Sequence, residues 1–281
     1  MQLACLKHIH IKATRHTITT LTKMSSAHSL QGKTAVITGG GKNLGALIAT
    51  DLAKNGVKAI VIHYNSASSK DETEETLKKV EALGAKCVAL QGDLTTASAM
   101  AKFFDEAVAA VGKPDYAINT IGKVLKKPIA DISEEEYDTM SAVNAKAAFF
   151  FIKEAGRALN DNGAILTVVT SLLGAFTPFY SSYAGTKAPV EHFTRAASKE
   201  FGDRGISVNA IGPGPMDTPF FYGQESPEAV AYHKTAASLS KFSPTGLTHI
   251  EDIVPYVRFI ISEGWWMTGQ TILLNGGYTT K

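Results

Sequence analysis

A phenol and an ammonium group lie four residues apart in the second half of the 281-residue chain, at Tyr183 and Lys187. On a helix this spacing places both side chains on one face. Such a pair can move a proton, because the phenol can protonate a developing oxyanion while the nearby positive charge favours the phenolate that remains. Tyr-x-x-x-Lys is common by chance, so the pair needs supporting residues before it predicts a site.

Two further polar residues supply that support. Ser171 lies twelve residues before Tyr183, at the end of the apolar run Ala164–Thr170, and Asn144 lies on the preceding predicted helix. A serine here can also cap a loop, and Asn144 could equally satisfy helix backbone groups. Their positions nonetheless strengthen the interpretation of Tyr183 and Lys187 as part of a catalytic site.

A glycine cluster follows the first apolar run, Thr34–Thr38. Glycines let the backbone approach a pyrophosphate at the amino end of a helix, where free N–H groups attract anions. The G-x-G-x-x-G spacing fails because position 44 is leucine, so a tight strand-to-helix turn is the alternative. The position after the first strand of a βαβ unit favours dinucleotide binding. The predicted cofactor-binding residues of this loop are Gly39, Gly41, Lys42, Asn43, Leu44 and Gly45.

The residues after the second apolar run indicate which dinucleotide binds. An NAD site of this kind uses a carboxylate on the ribose 2′-hydroxyl, and that carboxylate would repel a 2′-phosphate. No acid lies between this run, which ends at His63, and Asp71. The run is followed by Tyr64, Asn65 and Ser66, with Lys42 nearby. The alternative is an ordinary polar surface loop. We predict NADP as the cofactor, with NADPH preferred over NADH.

The elements that position these residues alternate between apolar runs and amphipathic segments. Almost wholly apolar strands separated by helices predict a parallel sheet covered on both faces. We therefore predict an α/β fold, a single-domain doubly wound (Rossmann) sheet with ligands at the carboxyl ends of its strands. A helix is predicted from the capping box at Ser133 to about Leu159. The predicted strands are Thr34–Thr38, Ala59–His63, Lys86–Leu90, Asp115–Thr120, Ala164–Thr170, Ser207–Ile211 and Thr271–Leu274.

The first 23 residues differ in charge from the rest of the chain. They hold four basic residues and no acid, and the first acid of the chain is Asp51. Such a leader is interpreted either as an organelle transit peptide or as an unstructured extension upstream of a start at Met24. We expect residues 1–29 to be disordered or cleaved and residues 30–281 to form the catalytic domain. The expected compartment is cytoplasmic, or mitochondrial if the leader is a transit peptide.

Composition excludes several classes of protein. Two cysteines cannot form a disulfide framework or a four-cysteine zinc site. A net charge of +2 gives no indication of nucleic-acid binding. No window approaches the ~18 uninterrupted apolar residues of a membrane span. His192, His233 and His249 show no metal-ligand spacing and are interpreted as surface or helix residues, so no metal site is predicted.

Taken together, the motifs resemble those of the short-chain dehydrogenase/reductase family over essentially all of residues 30–278. The glycine loop is similar to the family's T-G-x-x-x-G-x-G, with Asn43 in place of the middle glycine. Asn144, Ser171, Tyr183 and Lys187 match its catalytic tetrad. The resemblance implies further cofactor contacts at Asp93, Leu94, Asn119, Gly122, Tyr183, Lys187, Pro213, Gly214 and Thr218.

The resemblance implies carbonyl reduction with Tyr183 as the general acid. Ser171 would hold the substrate oxygen, and Asn144 would hold water in a proton relay through Lys187. Lys187 and the oxidised nicotinamide would lower the pKa of Tyr183. Tyr180 raises an alternative, because Tyr-x₆-Lys is the spacing of enoyl reductases in the same superfamily. Tyr180 is otherwise expected to line the substrate pocket.

The predicted substrate is a small carbonyl compound, a hydrophobic or aromatic ketone or a 3-oxoacyl group. The segment from 216 to 248 should form a lid, and the predicted substrate contacts are Ser171, Tyr180, Tyr183, Phe220 and Phe221. The alternatives are an alcohol dehydrogenase running in the oxidising direction and a dinucleotide-binding regulator without turnover. A homotetramer or dimer is expected, with contacts from the Phe149–Phe151 helix and from Trp265 and Trp266.

Overall fold

Seven parallel strands form one sheet at the centre of the chain. The computed structural model describes residues 28–280. Its strands are β1 Thr34–Thr38, β2 Ala59–Tyr64, β3 Lys86–Gln91, β4 Tyr116–Asn119, β5 Ala164–Val168, β6 Ser207–Pro213 and β7 Thr271–Leu274. Across the sheet their order is β3-β2-β1-β4-β5-β6-β7, and each neighbouring pair is parallel. This confirms the predicted doubly wound sheet.

Helices cover both faces of this sheet. The helices are α1 Asn43–Lys54, α2 Lys70–Ala82, α3 Ala97–Val111, α4 Glu134–Ser141, α5 Ala147–Ala158, α6 Ser181–Lys187, α7 Pro189–Glu200, α8 Pro219–Tyr222, α9 Pro227–Ala236 and α10 Ile250–Ile261. One face of the sheet carries α1, α2 and α10, and the other carries α3, α5 and α7. None of the helices within residues 28–280 is long and apolar enough to cross a membrane.

The core consists of two apolar layers separated by the sheet. Successive residues of a strand point to opposite faces, so Ile37 of β1 packs in one layer and its neighbour Val36 in the other. Phe104 of α3 and Phe151 of α5 fill the second layer and are fully buried. Because both faces are covered, all five residues of β1 are buried, as a continuous apolar run predicts.

The predicted helix from Ser133 to Leu159 is interrupted. Its start is confirmed, since Ser133 and Glu136 form the capping box. Between α4 and α5, however, Ala142–Lys146 forms a π-helical segment. Such segments occur frequently at functional sites, and this one contains Asn144.

The predicted extension, residues 1–29, lies outside the described residues except for its last two positions. The core begins directly after it, because Leu30 is already buried against α1 and β2 residues. That residues 1–29 are disordered or cleaved therefore stays a prediction.

Candidate active site

Two cavities meet at the carboxyl edge of the sheet. A cleft of about 650 Å³ runs past the ends of β1, β2, β4 and β5, and a mostly apolar pocket adjoins it under α8 and α9. Tyr183, Thr218 and Phe220 line both cavities. A ligand in the cleft and a second ligand in the apolar pocket would therefore meet at the Tyr183 side chain.

The cleft opens where the strand order reverses, between β1 and β4, which is where doubly wound sheets bind dinucleotides. Asn119 fastens these strand ends together, since its Oδ1 accepts hydrogen bonds from Thr38 Oγ1 (2.8 Å) and Ile121 N (3.0 Å). The structure thus places the predicted cofactor residue Asn119 beneath the cleft, where it shapes the floor rather than lining it. Gly122, in contrast, lines the cleft as predicted.

All six predicted residues of the glycine loop line the cleft. Asn43 adopts φ +49°, a left-handed conformation that glycine accepts without strain and asparagine accepts better than most residues. At Gly45 a Cβ would lie 2.2 Å from the carbonyl oxygen of Gly39, so only glycine fits. No side chain caps the amino end of α1. Its backbone N–H groups are the donor set that a diphosphate requires.

The far end of the cleft matches the prediction in most positions. Tyr64, Asn65, Asp93 and Leu94 line it, and Ser69 joins them. Ser66 does not line the cleft, and its hydroxyl lies within hydrogen-bond distance of Ser68 Oγ (2.7 Å).

Lys42 already has a partner at this end. Its Nζ lies 3.1 Å from Glu72 Oε2, and both side chains are about half exposed. A 2′-phosphate would therefore compete with Glu72 for this ammonium group.

His63 is a cleft residue that the sequence analysis did not single out. It is the last buried position of β2, where an apolar side chain is the usual choice, and this is the signal that could have identified it. Its Nδ1 accepts from Gly39 N (3.3 Å), and its Nε2 donates to Gly92 O (2.7 Å). Acceptance at Nδ1 requires the neutral ring, and burial lowers the pKa of His63, which favours that form. The histidine thereby braces the glycine loop.

Lys187 lies at the base of the junction. Its Nζ donates to the carbonyl oxygens of Ile121 and Val168, each at 3.0 Å. These bonds occupy two of its three protons and fix the side chain between β4 and β5. Burial disfavours the charged form and lowers the pKa of Lys187 to about 8.

The pKa of Tyr183 departs from the expectation. The charge of Lys187 was expected to lower it, but burial raises it to about 12, against a smaller opposing effect of a hydrogen bond with the Thr170 side chain. Desolvation dominates because both Tyr183 and Lys187 are removed from water. The phenol is therefore held in its neutral form, which is the form that can donate a proton.

Ser171 and Asn144 occupy different positions relative to the cavities. Ser171 is buried and lines the apolar pocket beside Tyr183. Asn144 lies behind the cleft, where its Nδ2 donates to Lys123 O (2.9 Å) and Thr186 Oγ1 (3.1 Å) and its Oδ1 accepts from Lys123 N (3.0 Å). Its side chain joins the π-helical segment to α6 and to the loop that follows β4. The alternative, that Asn144 satisfies backbone groups, therefore accounts for most of these bonds.

The lid segment contributes part of the apolar pocket, including Phe220, Phe221 and His233. Tyr180, Pro213 and Gly214 lie outside the lid and also line this pocket, and Pro213 and Gly214 do not line the cleft where they were expected. His233 lies on α9, in keeping with its interpretation as a surface or helix residue, but it is buried and faces the pocket. No group of three or more His, Cys, Asp or Glu side chains in the described part of the chain is arranged to hold a metal ion.

Comparisons with known proteins agree with this geometry. Residues 39–279 match the family model described as "Enoyl-(Acyl carrier protein) reductase". A short chain dehydrogenase/reductase of Aspergillus novofumigatus is 34% identical over 264 residues, which cover 88% of this chain and 96% of that one. A short chain dehydrogenase of Emericella nidulans is 33% identical over 260 residues, which cover 89% and 96%.

Two solved structures are also similar. A protein of Burkholderia cenocepacia, provisionally described as a dehydrogenase and crystallised with bound NADP, is 64% identical. It superposes with a TM-score of 0.91 over 96% of this chain and 100% of that one. A short-chain dehydrogenase of Oenococcus oeni is 50% identical, with a TM-score of 0.71 over 90% of this chain and 99% of that one.

Proposed function

The chain belongs to the short-chain dehydrogenase/reductase family, and we propose that it reduces a ketone or 3-oxo group to a secondary alcohol with NADPH. The observation that carries this proposal is the position of Tyr183 at the junction of the long cleft and the apolar pocket. The Burkholderia relative with bound NADP supports the choice of cofactor for the cleft.

NADPH, when bound, supplies the hydride that reduces the carbonyl carbon. Ser171 holds the carbonyl oxygen from the pocket side, and Tyr183 gives its proton to that oxygen as negative charge develops there. Lys187 stabilises the phenolate that remains, and the exclusion of water strengthens that attraction. The water relay through Asn144 would have to use its backbone or the remaining lone pair of Oδ1, since the rest of the amide is engaged.

The preference for NADPH over NADH rests on charge at the far end of the cleft. Lys42 is a cation there, and Tyr64, Asn65 and Ser69, which follow the buried part of β2, add hydrogen-bonding side chains that are not carboxylates. The Asp93 carboxylate also lines this end, where its Oδ1 accepts a hydrogen bond from Thr95 N (2.9 Å). A phosphate dianion would bind Lys42 more strongly than the single, half-exposed Glu72 carboxylate does.

Enoyl reduction is the second candidate, because the matching family model carries that description and Tyr180 has the corresponding spacing. The contacts of Tyr180 argue against it. Its hydroxyl donates to Glu225, and burial together with this carboxylate raises the pKa of Tyr180. A phenol whose proton is held by a neighbouring carboxylate is a poor donor to substrate.

The test is NADPH consumption across a panel of ketones, 3-oxo esters and enoyl thioesters, with NADH in parallel and the products identified. We expect secondary alcohols from the ketones. Saturation of enoyl thioesters alone would favour the enoyl reductase, and turnover only of alcohols with NADP⁺ would favour the oxidising dehydrogenase. Binding of NADPH without turnover of any compound would favour a regulator.

A further inference from the structure

A buried carboxylate lies in the otherwise mostly apolar pocket. Glu225 belongs to the loop between α8 and α9, lines the pocket, and has a side chain that is only 2% exposed. The roles proposed above for Ser171, Tyr183 and Lys187 do not require it. Burying a charge is costly unless it is paired, so its presence calls for a physical account.

Several polar groups hold this carboxylate in place. Tyr180 donates its hydroxyl proton to Glu225 Oε1, and Lys126 donates to Oε2. His233 Nε2 lies 3.8 Å from Oε2, and His233 Nδ1 lies 3.2 Å from the hydroxyl of Tyr278. Lys126 approaches from outside the pocket and does not line it. The pocket is therefore presented with the carboxylate and with His233, whose pKa is lowered by burial, but not with the Lys126 ammonium group.

The carboxylate retains capacity for a ligand. An ionised carboxylate accepts about four hydrogen bonds, and two of these positions are taken by Tyr180 and Lys126. The surrounding walls include Val124, Leu172 and Phe221, which offer no polar partner through their side chains. A ligand with a hydroxyl group at this end would satisfy Glu225, whereas an anionic group would be repelled.

The spacing between acceptor and proton donor limits the ligand's size. The ring of Tyr180 lies 6.4 Å from that of Tyr183, and its hydroxyl contacts Glu225. Glu225 and Tyr183 line the same pocket, whose volume is only about 90 Å³, so a ligand that fills it is about the size of one ring. A ring-sized skeleton can place a carbonyl at Tyr183 and a hydroxyl group at Glu225.

We propose that Glu225 determines substrate specificity by accepting a hydrogen bond from a hydroxyl group that lies across a ring from the reacting carbonyl. The substrate class is therefore a neutral, ring-containing hydroxyketone, and ketones with a carboxylate at that position are excluded. This inference rests on the proposed function for the reaction, but binding selectivity tests it separately.

The experiment measures binding to the NADP⁺-loaded protein, because the oxidised cofactor prevents reduction. Calorimetry compares acetophenone, 4-hydroxyacetophenone, 3-hydroxyacetophenone and 4-acetylbenzoate. We expect the better of the two hydroxyketones to bind about tenfold more tightly than acetophenone, the effect of one hydrogen bond to a charged group, and 4-acetylbenzoate to bind more weakly than acetophenone. Equal or tighter binding of 4-acetylbenzoate than of both hydroxyketones would overturn the proposal.

Two lid variants separate recognition from lid structure. Glu225→Gln should remove the advantage of the hydroxyketone and improve 4-acetylbenzoate binding about tenfold, while acetophenone stays within about twofold. Glu228→Gln removes an exposed carboxylate from the same lid and should leave the binding of all four ligands unchanged. If Glu225→Gln weakens all ligands by the same factor, Glu225 only holds the lid and the proposal fails. Should Glu225→Gln not fold, the ligand ranking on the wild-type protein decides.

The outcome is independent of catalysis. Selective binding without turnover of any ketone by NADPH would contradict the proposed function and leave the assignment of Glu225 standing. Turnover of ketones without the predicted binding selectivity would support the proposed function and contradict the assignment of Glu225.

Discussion

Burial shifts the pKa of both ionisable groups at the proposed reaction centre. It raises the pKa of Tyr183 to about 12 and lowers that of Lys187 to about 8, so each group is shifted toward its neutral form. Carbonyl reduction consumes a proton, and a neutral phenol holds that proton ready. The two backbone carbonyls that bind Lys187 hold the amine beside the phenol whichever way it is protonated.

Lys187 also gives the folding stability a pH dependence. Its pKa is about 8 when folded, against an ordinary 10.5, so between these values the unfolded chain binds more protons and stability rises with pH. From pH 7 to 9.5 the wild type should gain on the order of 2 kcal/mol relative to Lys187→Met, which has no amine to titrate. Urea unfolding at both pH values measures this gain. An unchanged difference between the two proteins would contradict the lowered pKa.

Lys42 tests the choice between the two dinucleotides. Lys42→Met should lower kcat/KM for NADPH about tenfold, the effect of losing a charge-assisted hydrogen bond, and leave that for NADH unchanged. The matched control is Lys70→Met, since Lys70 is also paired with an α2 glutamate but does not line the cleft. Equal losses of kcat/KM with NADPH and NADH would show that Lys42 does not bind the 2′-phosphate.

At the scale of elements, periodicity predicted the sheet because parallel strands buried on both faces must be apolar throughout. The strand boundaries shifted by a few residues, as at β6, which continues through Pro213. The π-helical segment around Asn144 could not be predicted, because no local pattern distinguishes it from α-helix. Asn144 bonds there to Lys123 and Thr186, both distant in sequence.

Those parts of the candidate site that depend on the spacing of residues along the chain could be predicted from the sequence. The pair of Tyr183 and Lys187 and the glycine loop follow from local motifs. Glu225 and His233 did not stand out, because their role depends on how the lid folds over the pocket. The raised pKa of Tyr183 was missed for the same reason, since it depends on burial and not on the order of residues.

The turn between β1 and α1 makes a specific prediction about stability. Asn43 has φ +49°, a conformation that costs a β-branched residue roughly 1–3 kcal/mol. Asn43→Val should lower the free energy of unfolding by about that amount. Asn43→Gly should leave it unchanged or raise it, because glycine adopts this conformation without a steric penalty. Equal unfolding midpoints in urea for the two variants would mean that the turn is not strained as described.

At the scale of the whole molecule, one sheet edge gathers residues from most of the chain. Gly39 and Phe220 both line the cleft although 180 positions separate them. The parallel arrangement explains this, because each strand ends at the same edge and each following loop contributes to it. The lid then closes the apolar pocket from the last third of the chain.

The molecule also exposes large aromatic side chains away from this edge. Trp266 is 83% exposed and Phe149 is 46% exposed, whereas Phe151 two residues later is fully buried in the core. Exposed apolar patches of this kind mark contacts between chains. We predict a dimer or tetramer by light scattering, and a smaller species for Trp266→Ser or Phe149→Ser. A wild-type protein that is monomeric at micromolar concentration would contradict this assignment.

The central claim is that Tyr183, and not Tyr180, donates the proton during carbonyl reduction. The most direct measurement is kcat with NADPH and the best ketone of the panel for the wild type, Tyr183→Phe and Tyr180→Phe. Tyr183→Phe should lower kcat by about 10²–10⁴-fold, the usual effect of removing a general acid. Tyr180→Phe should mainly change KM through its contact with Glu225. Loss of turnover in Tyr180→Phe with turnover retained in Tyr183→Phe would contradict the account.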